Sequence, residues 1–207
     1  MALPQPRRLA CCSGRARARA GSVLQASPDR TPGGIGPIEM YGYSDSDWGG
    51  SLDDRRSTSA YVFFLGGAAI SWKVKLSPTV CLSTQEAEYV GLSEATKEAL
   101  NLKMLMEQIG FGSEDPTTIY SDNQGAITMG LHPSNKPATR HIDMRRHFLR
   151  QHVELKSIVT PYVRTDAMVA DCMTKQTPRP THAHHFGMIF GRQDTSLPLK
   201  PIVKLVE

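Results

Sequence analysis

From Met40 onward the chain alternates between short apolar runs of strand length and longer stretches with helical spacing. "MYGYSDSDW" (40–48) predicts a strand that ends in acids. "SAYVFFLGG" (59–67) and "AAISWKV" (68–74) are two further β-rich runs separated by a Gly-Gly turn, so the three form a meander. "STQEAEYVGLSEATKEALNLKMLMEQIG" then predicts a helix over 84–109 with Gly110 as its stop. A strand "TTIYSD", a short helix "QGAITMGL", a basic helix "HIDMRRHFLRQHVEL", a strand "SIVTPYV" and a final helix "DAMVADCMTK" complete the order β-β-β-α-β-α-α-β-α. Three meander strands followed by helix-linked strands imply an α/β fold, a mixed five-stranded sheet flanked by helices.

Outside this patterned region the character changes. Residues 1–38 are rich in Arg, Ala, Ser, Pro and Gly and are expected to be a disordered extension; the domain is expected over 39–178 and a loosely ordered tail over 179–207. Residues 1–30 hold six arginines and one aspartate, so the formal net charge of +4 resides there and says nothing about the folded part. That stretch has the composition of an organelle transit peptide, of an arm that binds polyanions, or of unrelated sequence upstream of a domain. No apolar run approaches about 18 residues, so no transmembrane helix and no membrane partner are expected. Cys11 and Cys12 are adjacent, Cys81 and Cys172 lie far apart, and no C-x-x-C spacing occurs. A reducing interior, cytoplasmic or nuclear, fits that cysteine usage, with organelle targeting by the tail as the alternative.

The chemistry lies in scattered acids. Ser83 and Glu86 form a capping box at the start of the long helix, which gives Glu86 a structural task. Glu88 instead lies on or beside the stripe that continues through Leu92, Ala95, Ala99 and Leu102, where an ionised group is costly unless paired or bound to metal. Asp45 and Asp47 share one face of the first strand, Asp122 ends the fourth, and Asp171 sits among Met168, Val169, Ala170, Cys172 and Met173. Each taken singly reads as a cap or a surface charge. If the first and fourth strands are parallel neighbours, their acids converge, and such a cluster repels itself unless divalent cations neutralise it. Oxygen ligands select Mg²⁺ or Mn²⁺, and two ions would clamp a displacement at phosphorus.

"GYSDSDWGGSLDDRRSTSAYVFFLGGAAISWKVKLSPTV", "STQEAEYVGLSEATKEAL", "IYSDNQGAI", "RHIDMRRHFLR" and "VADCMTKQTPRP" together resemble the ribonuclease H domain of copia-type LTR retrotransposon Pol polyproteins, over about residues 40–180. The resemblance implies the ribonuclease H-like fold and endonucleolytic hydrolysis of RNA in RNA–DNA hybrids by a two-metal mechanism, with no small-molecule cofactor. It carries Asp45, Glu88, Asp122 and Asp171 over as metal ligands and catalytic acids. Its implied partners are the hybrid and the reverse transcriptase domain of a parent polyprotein. Many ribonucleases H have a mobile His before the last acid; "YVRTDAMVAD" has none, as is usual for copia-type domains, and Arg164 and Thr165 there are left without a role. Where a parent polyprotein has reverse transcriptase, this chain has the Arg-rich segment, so a fragment of an element or a host gene derived from one is expected.

Secondary candidates follow from the same motifs. Arg140, Arg145 and Arg146 on the basic helix are candidates for backbone phosphates, or for supporting the fold. Asn123 and Gln124 are candidates for the minor groove and its 2′-hydroxyls, with capping of the next helix as the competing role. The cluster "HAHHF" (182–186) is discounted as a zinc site because no Cys or acid lies near it in sequence. Two rival functions stand beside the nuclease: a catalytically inactive nucleic-acid-binding or tethering remnant, and another polynucleotidyl transferase such as an integrase or resolvase.

Overall fold

The computed structural model describes residues 39–51, 53–78, 80–131 and 140–191. The expected extension 1–38 and the last residues, 192–207, lie outside them. Strands β1 (Met40–Asp47), β2 (Thr58–Leu65) and β3 (Ala68–Leu76) form the antiparallel meander. The β2–β3 turn is Gly66-Gly67, both at positive φ (58° and 85°), the backbone that a two-residue hairpin with the right-handed strand twist requires. Helix α1 (Thr84–Gln108) returns the chain to β4 (Thr117–Tyr120), which pairs parallel with β1. Helices α2 (Gln124–Leu131) and α3 (Arg140–Glu154) lead to β5 (Ile158–Val159), parallel to β4. The sheet order is therefore β3-β2-β1-β4-β5, a mixed five-stranded sheet as expected.

Both faces of the central strands are covered, and β2 shows it directly. Tyr61 and Phe63 pack with Tyr89, Leu92, Ala95, Ala99, Ile119, Ala126 and Leu149 on the side of α1–α3. Val62 and Phe64 pack with Tyr43, Val163, Met168, Val169 and Ala170 on the other. The alternation of a strand thus feeds two cores at once, and a central strand reads as a continuous apolar run. Tyr43 and Tyr120, directly paired across the β1–β4 ladder, stack with ring centroids 5.1 Å apart and fix the register two residues before Asp45 and Asp122.

The chain departs from its sequence pattern after β5. The expected strand 157–163 is regular only at Ile158–Val159, with one isolated bridge between Ser121 and Tyr162, because Pro161 has no N–H to give the ladder. The expected helix 166–175 is a 3-10 turn (Thr165–Ala167) followed by the single-turn helix α4 (Asp171–Thr174). Met168, Val169 and Ala170 between them are each at most 1% exposed. Three consecutive residues of an α-helix spread around most of its circumference and cannot all face one sheet, so the chain opens to bury them. The stretch expected to be loose from residue 179 instead forms helix α5 (Arg179–Ile189), entered through Pro180 in its first turn. His185 is wholly buried, its Nε2 sits 3.1 Å from the Asp166 carbonyl oxygen, and Met188 and Ile189 pack against the second core.

Candidate active site

Parallel pairing of β1 and β4 sets the carboxyl ends of the two strands side by side. Asp45 and Asp122 each follow the paired tyrosines by two residues, so the ladder itself brings the two acids together. Glu88 arrives from α1, whose start is fixed by the expected cap: Ser83 Oγ accepts from the Glu86 N–H at 3.1 Å. Glu86 reaches back 2.8 Å to the N–H of Leu82, one residue before the cap, and is spent there. One turn further along α1, Gly91 lies so close to β1 that a Cβ on it would meet Ser46 Oγ at 2.5 Å. That close approach lowers Glu88 onto the end of β1.

The outcome is a cluster in which ligand oxygens of Asp45, Glu88 and Asp122 all lie within 4.8 Å of one another. Asp45 is fully buried and Glu88 is 5% exposed, while Asp122 is half-buried at the mouth. Asp171 is not a member of that group. It opens α4 on the opposite side of the sheet from α1 and is bridged to Asp45 by Lys175, whose Nζ lies 2.9 Å from Asp171 Oδ1 and 3.7 Å from Asp45 Oδ1. Thr174 donates to Asp45 Oδ2, and Thr165 donates to Asp122 Oδ2 at 2.8 Å, so each acid has one oxygen oriented by a hydroxyl.

The electrostatics match the crowding. Burial, then the negative charges of Asp45 and Asp122, push the Glu88 carboxyl up to about 9. Burial and Asp45 raise Asp171 against the opposing pull of Lys175. Burial raises Asp122 in spite of its hydrogen bond from Thr165. Burial lowers the Lys175 ammonium, but the charges of Asp45 and Asp171 outweigh it and the net shift is upward. Asp45 Oδ1 and Glu88 Oε2 are buried and accept no hydrogen bond among the described residues. Unsatisfied buried carboxylate oxygens facing one another are costly, and a hard divalent cation with oxygen ligands relieves that cost. The donor set therefore fits such an ion.

Of the secondary candidates, Asn123 caps α2, its Oδ1 accepting from the Ala126 N–H at 3.0 Å, and Gln124 is exposed at the first turn of that helix beside Asp122. Arg145 is half-buried on α3, where its carbonyl accepts from Tyr89 Oη at 3.2 Å and its side chain lines a small cavity with Lys73, Lys75 and Glu94, apart from the acids. The side chains of Arg140 and Arg146 lie outside the described residues. Thr165, Thr174 and Lys175 are the site residues that sequence reading did not assign. For the last two a signal exists: i+3 and i+4 from Asp171 place them beside its carboxylate on any helical turn.

No protein-family model matches the chain. It is 38% identical over 147 residues, 71% of its length, to the retrovirus-related Pol polyprotein from transposon TNT 1-94 of Nicotiana tabacum. It is 33% identical over 142 residues, 69% of its length, to the corresponding polyprotein from transposon RE2 of Arabidopsis thaliana. The matches occupy 11% and 10% of those relatives, so the chain spans about a tenth of their length. Among solved structures it is similar to LC11-RNase H1 in complex with an RNA/DNA hybrid, with 11% identity, 63% of this chain and 88% of that chain covered, and a TM-score of 0.46. At that score the structural likeness carries no argument; the sequence matches show that the homologues of this chain are retrovirus-related Pol polyproteins of copia-type transposons.

Proposed function

We propose that this domain is a retrotransposon-type ribonuclease H, a metal-dependent endonuclease that hydrolyses the RNA strand of RNA–DNA hybrids. The observation that carries it is the convergence of Asp45, Glu88 and Asp122 at the paired ends of β1 and β4, with buried oxygens that accept no hydrogen bond among the described residues. Asp45, Glu88 and Asp122 would hold one divalent ion, Mg²⁺ or Mn²⁺, and Asp45 with Asp171 a second. Such ions supply the Lewis acidity that turns water into a nucleophile at neutral pH and offsets charge on the leaving oxygen. The chain's own residues set the geometry: Thr174 and Thr165 each fix one oxygen of Asp45 and Asp122, leaving the other to bind. Glu88 and Asp171 hold protons more tightly than ordinary carboxyls and would give them up to a bound cation.

The substrate assignment rests on position. Asn123 and Gln124 immediately follow Asp122, and Asn123 can cap α2 through its oxygen while its amide donates to a 2′-hydroxyl or base edge. Arg140, Arg145 and Arg146 would contact backbone phosphates, in a salt-sensitive and sequence-independent role. In a parent polyprotein the reverse transcriptase domain would supply the hybrid, in the cytoplasm or nucleus. Among the described residues no helix is long and apolar enough to cross a membrane. The test is cleavage of a labelled hybrid, with single-stranded RNA and duplex DNA as competitors. Cutting of the RNA strand alone, with 5′-phosphate and 3′-hydroxyl ends, is expected. Binding of hybrid without cutting would favour a tethering remnant, and preference for duplex DNA an integrase-like or resolvase-like activity.

A further inference from the structure

We propose that Lys175 is a resident cation of the acidic pocket, and that a second divalent ion enters only by displacing it. The inference rests on the metal-binding reading above and deepens it. Lys175 Nζ lies 2.9 Å from Asp171 Oδ1 and 3.7 Å from Asp45 Oδ1, the oxygens that an ion shared by those two acids would use. Mg²⁺ binds such oxygens at about 2.0–2.1 Å. An ion shared by the two must therefore sit between them, in the space that the ammonium fills. A like charge at that spot is repelled by it, so ion and ammonium exclude each other.

The construction of α4 makes the placement specific. Asp171 and Thr174 lie on the single turn α4 and Lys175 is its C-cap, with extended backbone; Thr174 engages Asp45 Oδ2 and Lys175 faces Oδ1 of the same residue. Both oxygens of Asp45 are thus addressed from α4. The opposite, Glu88–Asp122 side is different: among the described residues, Lys175 pairs at short range with Asp45 and Asp171, and its charge reaches Glu88 and Asp122 only from farther away. The resting pocket is asymmetric, with its Glu88–Asp122 side open to the first ion and its Asp171 side closed by a side chain. Lys175 is 36% exposed, so its stem has solvent into which the ammonium can swing when displaced.

The measurement is Mn²⁺ binding to the full chain without nucleic acid, read by the paramagnetic resonance of free Mn²⁺ and by calorimetry. Wild type is expected to take one ion in the first phase. Lys175→Met, which keeps the stem and removes the charge, is expected to take a second, or to bind it at least about tenfold more tightly, since a unit charge about 4 Å away is worth more than that in a half-buried site. Lys175→Arg should behave as wild type. A second readout needs no variant. Saturating Mn²⁺ should raise amine-reactive labelling of Lys175 several-fold while leaving Lys97, paired with Glu94 away from the acids, unchanged. Unchanged stoichiometry and affinity in Lys175→Met, or two equal ions in wild type, would overturn the displacement while leaving the nuclease reading in place. No Mn²⁺ bound by wild type, Asp45→Asn or Lys175→Met would overturn both. Mn²⁺ bound only by Lys175→Met would overturn the proposal as stated, since the first ion too would then need the displacement.

Discussion

Glu88 offers the sharpest test of the site, because its burial makes a stability statement as well as a catalytic one. The metal-free fold raises its carboxyl from an ordinary 4.5 to about 9. The sign follows from linkage: a group whose folded value is raised contributes most below its unfolded value, and the contribution is lost as pH climbs toward the folded value. Glu88 is neutral in the folded state and ionised in the unfolded chain between those limits, so each pH unit in the window costs the fold about 1.4 kcal/mol. By pH 8 the loss approaches about 5 kcal/mol as an upper bound. Relaxation of the side chain toward the half-buried Asp122 side reduces it, and we expect about 1–3 kcal/mol in practice.

Glu88→Gln removes the titration and keeps the shape. In chelator, urea unfolding at pH 4.5 should give variant and wild type nearly equal stability, whereas at pH 8 the variant should be the more stable by that 1–3 kcal/mol, an order-of-magnitude figure. Added Mg²⁺ or Mn²⁺ should reverse the order, since wild type gains binding free energy that the amide cannot match. A variant less stable than wild type in chelator at pH 8, or one with the same offset at both pH values, would refute the claim that Glu88 is a buried acid held for a cation.

Asp122→Asn should lower hybrid cleavage by about 10³-fold or more while leaving the far-ultraviolet circular dichroism unchanged, because it removes a ligand at the half-buried mouth and no core contact. Mn²⁺ binding should release close to one proton per chain at pH 7–8, read by calorimetry in buffers of different ionisation enthalpy, since Glu88 is protonated there without metal. Asn123→Ala should cost about 1 kcal/mol through loss of the α2 cap, with Asn123→Asp restoring stability in thermal melts. Truncation after Pro178 should destabilise the domain by about 2–4 kcal/mol relative to truncation after Gly191, because it strips buried His185 and its partner contacts from the second core.

How far the sequence could be read depends on where each residue's partner lies. The Gly66-Gly67 turn, the Ser83 cap and the Gly110 stop depend on local backbone chemistry, and all three stand where the pattern places them; Gly110 has φ +81°. Glu86 and Glu88 were separable for the same reason, since one acid was accounted for by its own helix end. Asp45 and Asp122 needed one non-local fact, the parallel pairing of β1 with β4, which the element order permits but only the fold shows. The segment after Pro161 was not legible. Met168 to Ala170 look helical in isolation but are buried by a sheet face no local rule describes. α5 was hidden because its anchor is a histidine, which apolar periodicity does not count.

That same blind spot explains why the cation side of the site went unread while its anion side did not. Carboxylates in apolar company stand out in a sequence because burying them without a partner is expensive. Lysine at the end of a short helical turn stands out from nothing, and only the fold reveals that Lys175 spans Asp171 and Asp45 across more than a hundred residues of chain. The two observations belong to one energetic problem. Several acids crowded at the ends of two parallel strands repel one another, and the metal-free protein eases that repulsion in two ways, by holding a proton on Glu88 and by placing an ammonium between Asp45 and Asp171. Both devices are removable, the proton by ionisation and the ammonium by rotation into solvent. A pocket that could hold a cation needs neutralisation that can leave.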